Sequence, residues 1–445
     1  MALERIVQWK KEIRVLDGGF GSECEKRSRL PIDGHKAWSS RLLKEDPNLV
    51  CEIHKSRRLL QLANHRFLRS GCDVISTNTY QASPRTLSEA LDISVTEAIE
   101  LMQRAVELAR LAVDSVVRES RAGSPLSRKH PILIAGSLGS YGACMADGSE
   151  YSGEYDKNVT FSDLVEFHQV RAELLLEAGV DLLAWETIPL QCEVAAICEV
   201  MRRLPNAVGW ISVMSMDGQN SVGGDPLREI ALEADKCDRI FAIGVNCSIP
   251  HHRIPQALAN LSGVYDSCEP DTEVNSHSPL SDESARKILL VYANSGERWV
   301  AVNSKNSRFR GYWAWPPKTG PNLWARVMSR FAMRRGVHIP NSSASLIHAK
   351  TDDQSPVRAQ WVGGCCRVGP EQLVQLAEWM KPDEICRPLI CSELSEYYPA
   401  LGTCTLAGCK ISGTSDSLRR KATIANCGDH IKRLWFWRSY TRKTL

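Results

Sequence analysis

Eight short apolar runs, most of them ending in polar residues and followed by an amphipathic pattern, constrain this chain more than any other feature. The first, Ile13-Arg14-Val15-Leu16, runs into the glycine-rich turn Asp17-Gly18-Gly19-Phe20-Gly21. The second begins at Asp73-Val74-Ile75 and turns polar through Ser76-Thr77-Asn78-Thr79-Tyr80. The third is Ile132-Leu133-Ile134-Ala135-Gly136-Ser137 and the fourth Asp181-Leu182-Leu183-Ala184-Trp185-Glu186-Thr187. The remaining four cover residues 207–214, 241–247, 288–292 and 360–366. Runs this continuously apolar mark strands buried on both faces. Helix signals fall between them. Ile99, Met102, Val106, Ala109 and Val113 recur at helical spacing behind a Ser94 to Glu97 capping box. Further helices are predicted over 47–70, from Thr160 to near Gly179, and over 192–203, 225–236 and 370–380.

This alternation predicts an α/β chain of the (β/α)8 TIM-barrel type. An open doubly wound sheet would gather its polar strand ends at one switch point, whereas here they recur along the chain. Two segments interrupt the rhythm. Between the seventh and eighth strands, residues 298–359 fill a space where one helix would suffice, with an aromatic, proline-rich stretch at 309–317 and a short basic helix expected over 329–337. Past residue 386 an irregular basic tail, 387–445, carries Cys391, Cys404, Cys409 and Cys427 without the CxxC spacing typical of metal-binding cysteine clusters. The expected layout is a distorted barrel over 1–386, with its long insertion, followed by that tail.

Charge adds one observation. The net charge of +3 conceals two basic blocks, +8 over residues 305–335 and +7 over 410–445, which leave the remainder near −12. Neither block carries a nucleic-acid-binding motif, so nucleic acid is not an expected partner. The first eleven residues lack the apolar core of a secretory leader and no run has the length of a membrane span. A reducing, cytoplasmic setting without a membrane partner is expected. There sixteen cysteines serve as ligands or core residues.

The ends of parallel barrel strands are where such folds place their chemistry. Here they carry Asp17, Thr77 to Thr79, Ser137, Glu186, Asn246, Cys247, Cys365 and Cys366. Adjacent Cys365 and Cys366 cannot easily pair with each other, and Cys247 ends another apolar run. Three thiolates with an open fourth position describe a catalytic zinc site. Ordinary buried core cysteines are the competing reading. Asp17 and Glu186 supply negative charge suited to a substrate ammonium, although a helix cap and a buried ion pair are their bland alternatives. Zinc favours the nucleophilic thiolate form of a bound thiol. The combination points to activation of an amino-acid thiol.

Five stretches carry a resemblance: Leu16-Asp17-Gly18-Gly19, Ser76-Thr77-Asn78-Thr79-Tyr80, Trp185-Glu186-Thr187, Gly244-Val245-Asn246-Cys247 and Gly363-Gly364-Cys365-Cys366. In these the chain resembles the homocysteine S-methyltransferase family, zinc enzymes with a distorted (β/α)8 barrel. The resemblance implies Cys247, Cys365 and Cys366 as ligands of Zn2+ and Asp17 and Glu186 as holders of the homocysteine amino group. It also implies Gly18, Thr79 and Asn246 as nearby pocket residues. Ser137-Leu138-Gly139-Ser140-Tyr141-Gly142 and Tyr151-Ser152-Gly153-Glu154-Tyr155 are more similar to the branch that uses S-methylmethionine or S-adenosylmethionine. Homocysteine and a sulfonium methyl donor are then the partners, methionine the product, and a monomer the favoured state. Trp38 or Tyr155 would face the cationic donor. Betaine as donor, selenocysteine as acceptor, and an inactive barrel with a basic binding surface remain as alternatives. One departure stands out: Ala293, in Tyr292-Ala293-Asn294-Ser295-Gly296-Glu297, occupies a position that is usually proline in the family.

Overall fold

The structure, a computed structural model, describes residues 2–58, 72–121, 131–155, 157–262, 287–301, 311–315, 320–332 and 357–380. Eight parallel strands form the barrel: β1 Arg14–Val15, β2 Val74–Ser76, β3 Leu133–Gly139, β4 Leu182–Ile188, β5 Gly209–Val213, β6 Ile240–Cys247, β7 Ile288–Ala293 and β8 Trp361–Gly364. Each pairs with its sequence neighbour from β2 to β8, and β8 pairs with β1 at Arg14↔Trp361 and Val15↔Val362. A parallel bridge between Leu16 and Val74 joins β1 to β2 and closes the ring.

Period-2 alternation decides which residues fill the interior. Leu133, Ala135, Leu182, Ala184, Trp210, Leu290 and Tyr292 point inward to one core. Ile75 and Ile134 point outward against Ala109 and Val113 of a surrounding helix. An aromatic layer fills the end of the barrel where the strands begin. Trp361 lies 5.1 Å from Phe241 and 5.9 Å from Trp210, ring centre to ring centre. Trp9, on an N-terminal helix Ala2–Trp9, packs 5.5 Å from Phe241. The chain's polar-looking beginning thus buries Ile6 and Trp9 as a plug.

The outer helices are α1 Pro47–Arg58, α2 Val95–Arg121, α3 Phe161–Glu177, α4 Gln191–Arg203, α5 Leu227–Asp235, α6 Ile254–Leu261, α7 Pro321–Phe331 and α8 Pro370–Trp379. The expected caps form. Glu97 accepts from the Ser94 amide at 2.9 Å while the Glu97 amide donates to Ser94 Oγ at 3.2 Å. Thr160 and Asp163 make the same exchange ahead of α3. The helix expected over 47–70 is described only to Arg58.

Part of residues 298–359 belongs to the barrel. α7 supplies the helix between β7 and β8, burying Trp324, Met328 and Phe331. Ala332 then bridges to Ala359 just before β8. Of the basic helix expected over 329–337, residues 329–331 are the end of α7, whose apolar face runs through residues 321–331, and residues 333–337 lie outside the described residues. An antiparallel hairpin, Arg298–Ala301 with Gly311–Ala314, precedes it. The tail at 387–445 lies outside the described residues. So do Cys386 and the later cysteines.

Candidate active site

The C-terminal ends of β6 and β8 bring three sulfurs together. Cys247 Sγ lies 2.7 Å from Cys365 Sγ and 4.0 Å from Cys366 Sγ, and all three fall within 4.8 Å of one another. They are the one group of three or more potential ligand side chains among the described residues. Backbone bonds set this spacing. The Cys365 amide donates to the Ala293 carbonyl at 3.0 Å, and the Asn294 amide donates to the Cys247 carbonyl at 2.9 Å. β7 therefore stands between the two ligand strands and fixes both. Ala293 serves here through its carbonyl, a role that alanine and proline share.

Glycine makes the turn possible. A Cβ on Gly18 would sit 2.2 Å from the Val368 carbonyl oxygen, and one on Gly19 would sit 2.5 Å from the Cys365 carbonyl oxygen. The Asp17-Gly18-Gly19 turn thus lies directly against the Cys365-Cys366 turn. The Gly19 amide bonds Val368 O at 3.0 Å and the Gly364 amide bonds Asp17 O at 3.0 Å.

Cys247 and Thr187 both adopt left-handed backbone, with φ of 59° and 62°. Non-glycine residues rarely do so, and such positions cluster at functional sites. Asn246 holds the pair. Its Oδ1 accepts from the Thr187 amide at 3.1 Å and its Nδ2 donates to Thr187 Oγ1 at 2.8 Å and toward Cys365 Sγ at 3.9 Å. The β4–β5 register shifts between Trp185 and Ile188, an irregularity that re-aims Glu186 and Thr187.

The two carboxylates flank the same end of the barrel. Asp17 Oδ2 accepts from the Ser76 amide at 2.6 Å and Oδ1 from Ser76 Oγ at 3.2 Å. Glu186 Oε1 accepts a hydrogen bond from Ser137 Oγ. The Tyr292 phenol is held well above its usual range by burial first and by the Glu186 charge next, with Cys365 adding to it. This places Glu186, Tyr292 and Cys365 in one electrostatic neighbourhood. Thr79, expected in the pocket, is fully buried and donates to the Ser137 carbonyl at 2.7 Å. It braces the β2–β3 ends. Gly18 likewise acts by close packing.

The thiols do not share their protons evenly. Cys247, donating toward Cys365 and Cys366 and buried, is held well above the ordinary thiol range. Cys366, accepting from Cys247 and Cys365, is held well below it. A cation is what allows all three to ionise together, since metal binding displaces thiol protons. Three soft sulfur donors converging from two strands suit a metal such as zinc by donor type.

Some residues at the site were not legible as functional. Burial first, then Glu150 and the three cysteines, raise the Tyr151 phenol well above its usual range, which places it beside the thiols. Tyr80 faces Glu150, Tyr151 and Cys247 in the same way. Both were visible only as members of quoted motifs, and Tyr292 looked like a strand residue. Trp38, a donor-site candidate, bonds Glu25 at 2.8 Å, and Glu25 interacts electrostatically with Cys366 and Arg367. Tyr155, the other candidate, directs its hydroxyl to Glu193 at 2.6 Å and packs on Tyr141 at 5.4 Å, securing its own loop. Glu193, fully buried, also accepts from the Tyr141 amide and contacts His168.

Fold and site together define a TIM-type barrel enzyme in which three cysteines that could hold a metal ion share the strand ends with two carboxylates. The homocysteine S-methyltransferase family profile matches residues 14–380, and the chain belongs to that family. It is 33% identical over 392 residues to homocysteine S-methyltransferase 4 of Zea mays, covering 86% of this chain and 94% of the relative. It is 30% identical over 369 residues to homocysteine S-methyltransferase YbgG of Bacillus subtilis, covering 82% and 94%. A selenocysteine Se-methyltransferase of Brassica oleracea is 33% identical over 288 residues, 64% of this chain and 73% of the relative. Among solved structures, the metallated form of the homocysteine methyltransferase MmuM from Escherichia coli superposes with a TM-score of 0.57 at 28% identity. That match covers 84% of this chain and 99% of MmuM. No helix among the described residues is long and apolar enough to cross a membrane.

Proposed function

We propose that this chain transfers a methyl group from a sulfonium donor, S-methylmethionine or S-adenosylmethionine, to the thiolate of L-homocysteine, with zinc held by Cys247, Cys365 and Cys366. The convergence of three sulfurs within 4.8 Å at the strand ends that also carry Asp17 and Glu186 supports this reading. When bound, zinc supplies Lewis-acid stabilisation of the substrate thiolate at neutral pH.

The protein's own groups do the rest. Asp17 and Glu186 receive the substrate ammonium, each oriented by a serine, Ser76 and Ser137. This anchors the amino acid so that its sulfur points toward the three cysteines. The thiol gives up its proton to solvent and its sulfur attacks the donor methyl carbon. A new C–S bond forms as the donor's C–S bond breaks, and the leaving electron pair neutralises the sulfonium. Because that cation loses its charge, aromatic faces on the donor side stabilise the ground state more than the product. Tyr151, Tyr80 and Trp38 are the candidates for those faces. In-line geometry, held by rigid strand ends, is what the barrel contributes to rate.

Selenocysteine is a second acceptor reading, favoured by the Brassica relative's name. The test measures metal content and turnover of homocysteine or selenocysteine with S-methylmethionine, S-adenosylmethionine and betaine. We expect near one equivalent of zinc and methionine formed with a sulfonium donor. Turnover with betaine alone would reject the donor assignment. A chain without zinc and without turnover on any pair would be an inactive barrel. Cys247→Ser is expected to lose both zinc and activity, and retention of activity would reject the ligand assignment.

A further inference from the structure

The turn that follows β8 carries a residue that such a turn does not favour. Cys365, Cys366, Arg367 and Val368 close through the Val368 amide, which donates to the Cys365 carbonyl at 3.1 Å. Within it Arg367 takes the left-handed conformation, with φ of 67°. Turns give that place to glycine or asparagine, because a Cβ there crowds the backbone. Another residue stays in it only where its surroundings hold it. Arg367 is held through backbone and side chain alike. Its amide donates to Ser22 Oγ at 2.8 Å, on the helix Phe20–Arg27. Its carbonyl accepts from Gln372 Nε2 of α8 at 3.3 Å. Its Nε donates to Glu297 Oε2 at 3.2 Å, in the segment that follows β7.

Glu297 is tied back to the cysteine turn by a second route. Ser295 Oγ donates to the same Oε2 at 3.2 Å, and the Glu297 amide donates to Ser295 Oγ at 3.1 Å. The Ser295 amide in turn donates to the Cys366 carbonyl at 3.1 Å. The contacts form a closed ring. Cys366 is bonded covalently to Arg367, Arg367 pairs with Glu297, Glu297 with Ser295, and Ser295 returns to Cys366. The Arg367 and Glu297 side chains are only 17% and 11% exposed, so water screens this pair less than a surface one. Cys365 is fixed by the Ala293 carbonyl and Cys247 by the Asn294 amide. For Cys366 the corresponding tie is this ring.

We propose that Glu297 and Arg367 form a latch that sets Cys366 as a metal ligand, on the reading that the three cysteines hold zinc. Both are positioning residues, acting through the Cys366 backbone. With the latch closed, Arg367 stays left-handed and the peptide joining it to Cys366 keeps one orientation. With Glu297 removed, Arg367 is free to relax toward the backbone conformations that side chains prefer. That rotation turns the shared peptide and carries the Cys366 sulfur away from the other two. Cys247 and Cys365 keep their own ties to β7, so the metal would be left with two sulfur ligands in place of three. A glycine at 367 needs no latch, since it takes the left-handed conformation without cost.

The experiment uses the full-length chain and reads zinc affinity by chelator competition. The cobalt-substituted protein is read alongside it, because its sulfur-to-cobalt charge-transfer absorption reports how many thiolates are bound. Glu297→Ala should weaken zinc binding by about tenfold or more and lower that absorption toward the value for two thiolates. Adding Arg367→Gly to Glu297→Ala should restore affinity and absorption, although it removes a positive charge beside the thiolates. Glu297→Asp shortens the reach by one methylene. It should lose affinity in the same sense and supplies the measurement if the alanine variant does not fold. Wild-type affinity in folded Glu297→Ala or Glu297→Asp would overturn the latch. So would a loss that Arg367→Gly deepens, because the pair would then act by charge and not by holding the turn. A wild-type chain that takes up no zinc would remove the metal reading and the latch with it, whereas normal zinc uptake unaffected by the variants would remove the latch alone.

Discussion

Gly18→Ala is the perturbation that probes how the metal site is held. The added Cβ would lie 2.2 Å from the Val368 carbonyl oxygen, 3.1 Å from its carbon and 3.2 Å from Leu373 Cδ1. The first of these neighbours is backbone, so no flexible side chain can yield. Restoring ordinary contact, which begins near 3.4 Å, requires the two turns to separate by about 1.2 Å. The turn that must move carries Cys365 and Cys366, whose amide and carbonyl bonds tie it to β7. Overpacking of this size costs about 1–3 kcal/mol in stability. Metal ligation tolerates far less, because ligand distances must fall within about 0.2 Å of ideal. Zinc affinity should therefore fall by about 10–100-fold, the range seen when support around a ligand is lost. The metal-free chain should still fold. Competition with a chromophoric chelator measures the affinity, and urea unfolding of the metal-free protein measures the stability. Wild-type affinity in a folded Gly18→Ala protein would refute the claim that this contact positions the ligands.

Asn246→Ala should cost about 1–3 kcal/mol in urea unfolding, because the buried Thr187 amide loses its acceptor. The same variant should weaken zinc binding through the freed Cys247 backbone, which chelator competition will register. His168 gives a pH prediction. Burial first holds its pKa below the ordinary value while its Nε2 contacts Glu193 at 2.8 Å. The unfolded chain then binds the proton more readily, so this stability is present above about pH 6.5 and is lost as pH falls below it. The contribution cannot exceed about 1.4 kcal/mol per pH unit, and urea unfolding at pH 5 and 7.5 should show a smaller difference in His168→Gln than in wild type.

Much of this protein is written in local pattern. Continuous apolar runs located all eight barrel strands, and the Ser94 and Thr160 caps placed helix starts, because period and capping are properties of neighbouring residues. The same locality made Asp17, Glu186, Cys247, Cys365 and Cys366 visible, since each ends a run. Other features depended on partners distant in sequence. Nothing in residues 2–9 states that Ile6 and Trp9 close the barrel against Phe241, 232 residues after Trp9. The role of α7 as the seventh barrel helix was hidden by irregular sequence on both sides. That the Thr79 hydroxyl donates to the Ser137 carbonyl of β3 follows from a partner 58 residues away and could not be read locally.

The sequence by itself determined the order of the strands, the direction in which they end and the chemical type of each group at those ends. Tertiary structure decided which of those groups meet. β7 sets Cys247 against Cys365 through one carbonyl and one amide, and two glycines bring a distant turn against the cysteine pair. A linear pattern fixes which groups reach a barrel's rim, whereas distances across that rim follow from register and close packing between strands far apart in the chain.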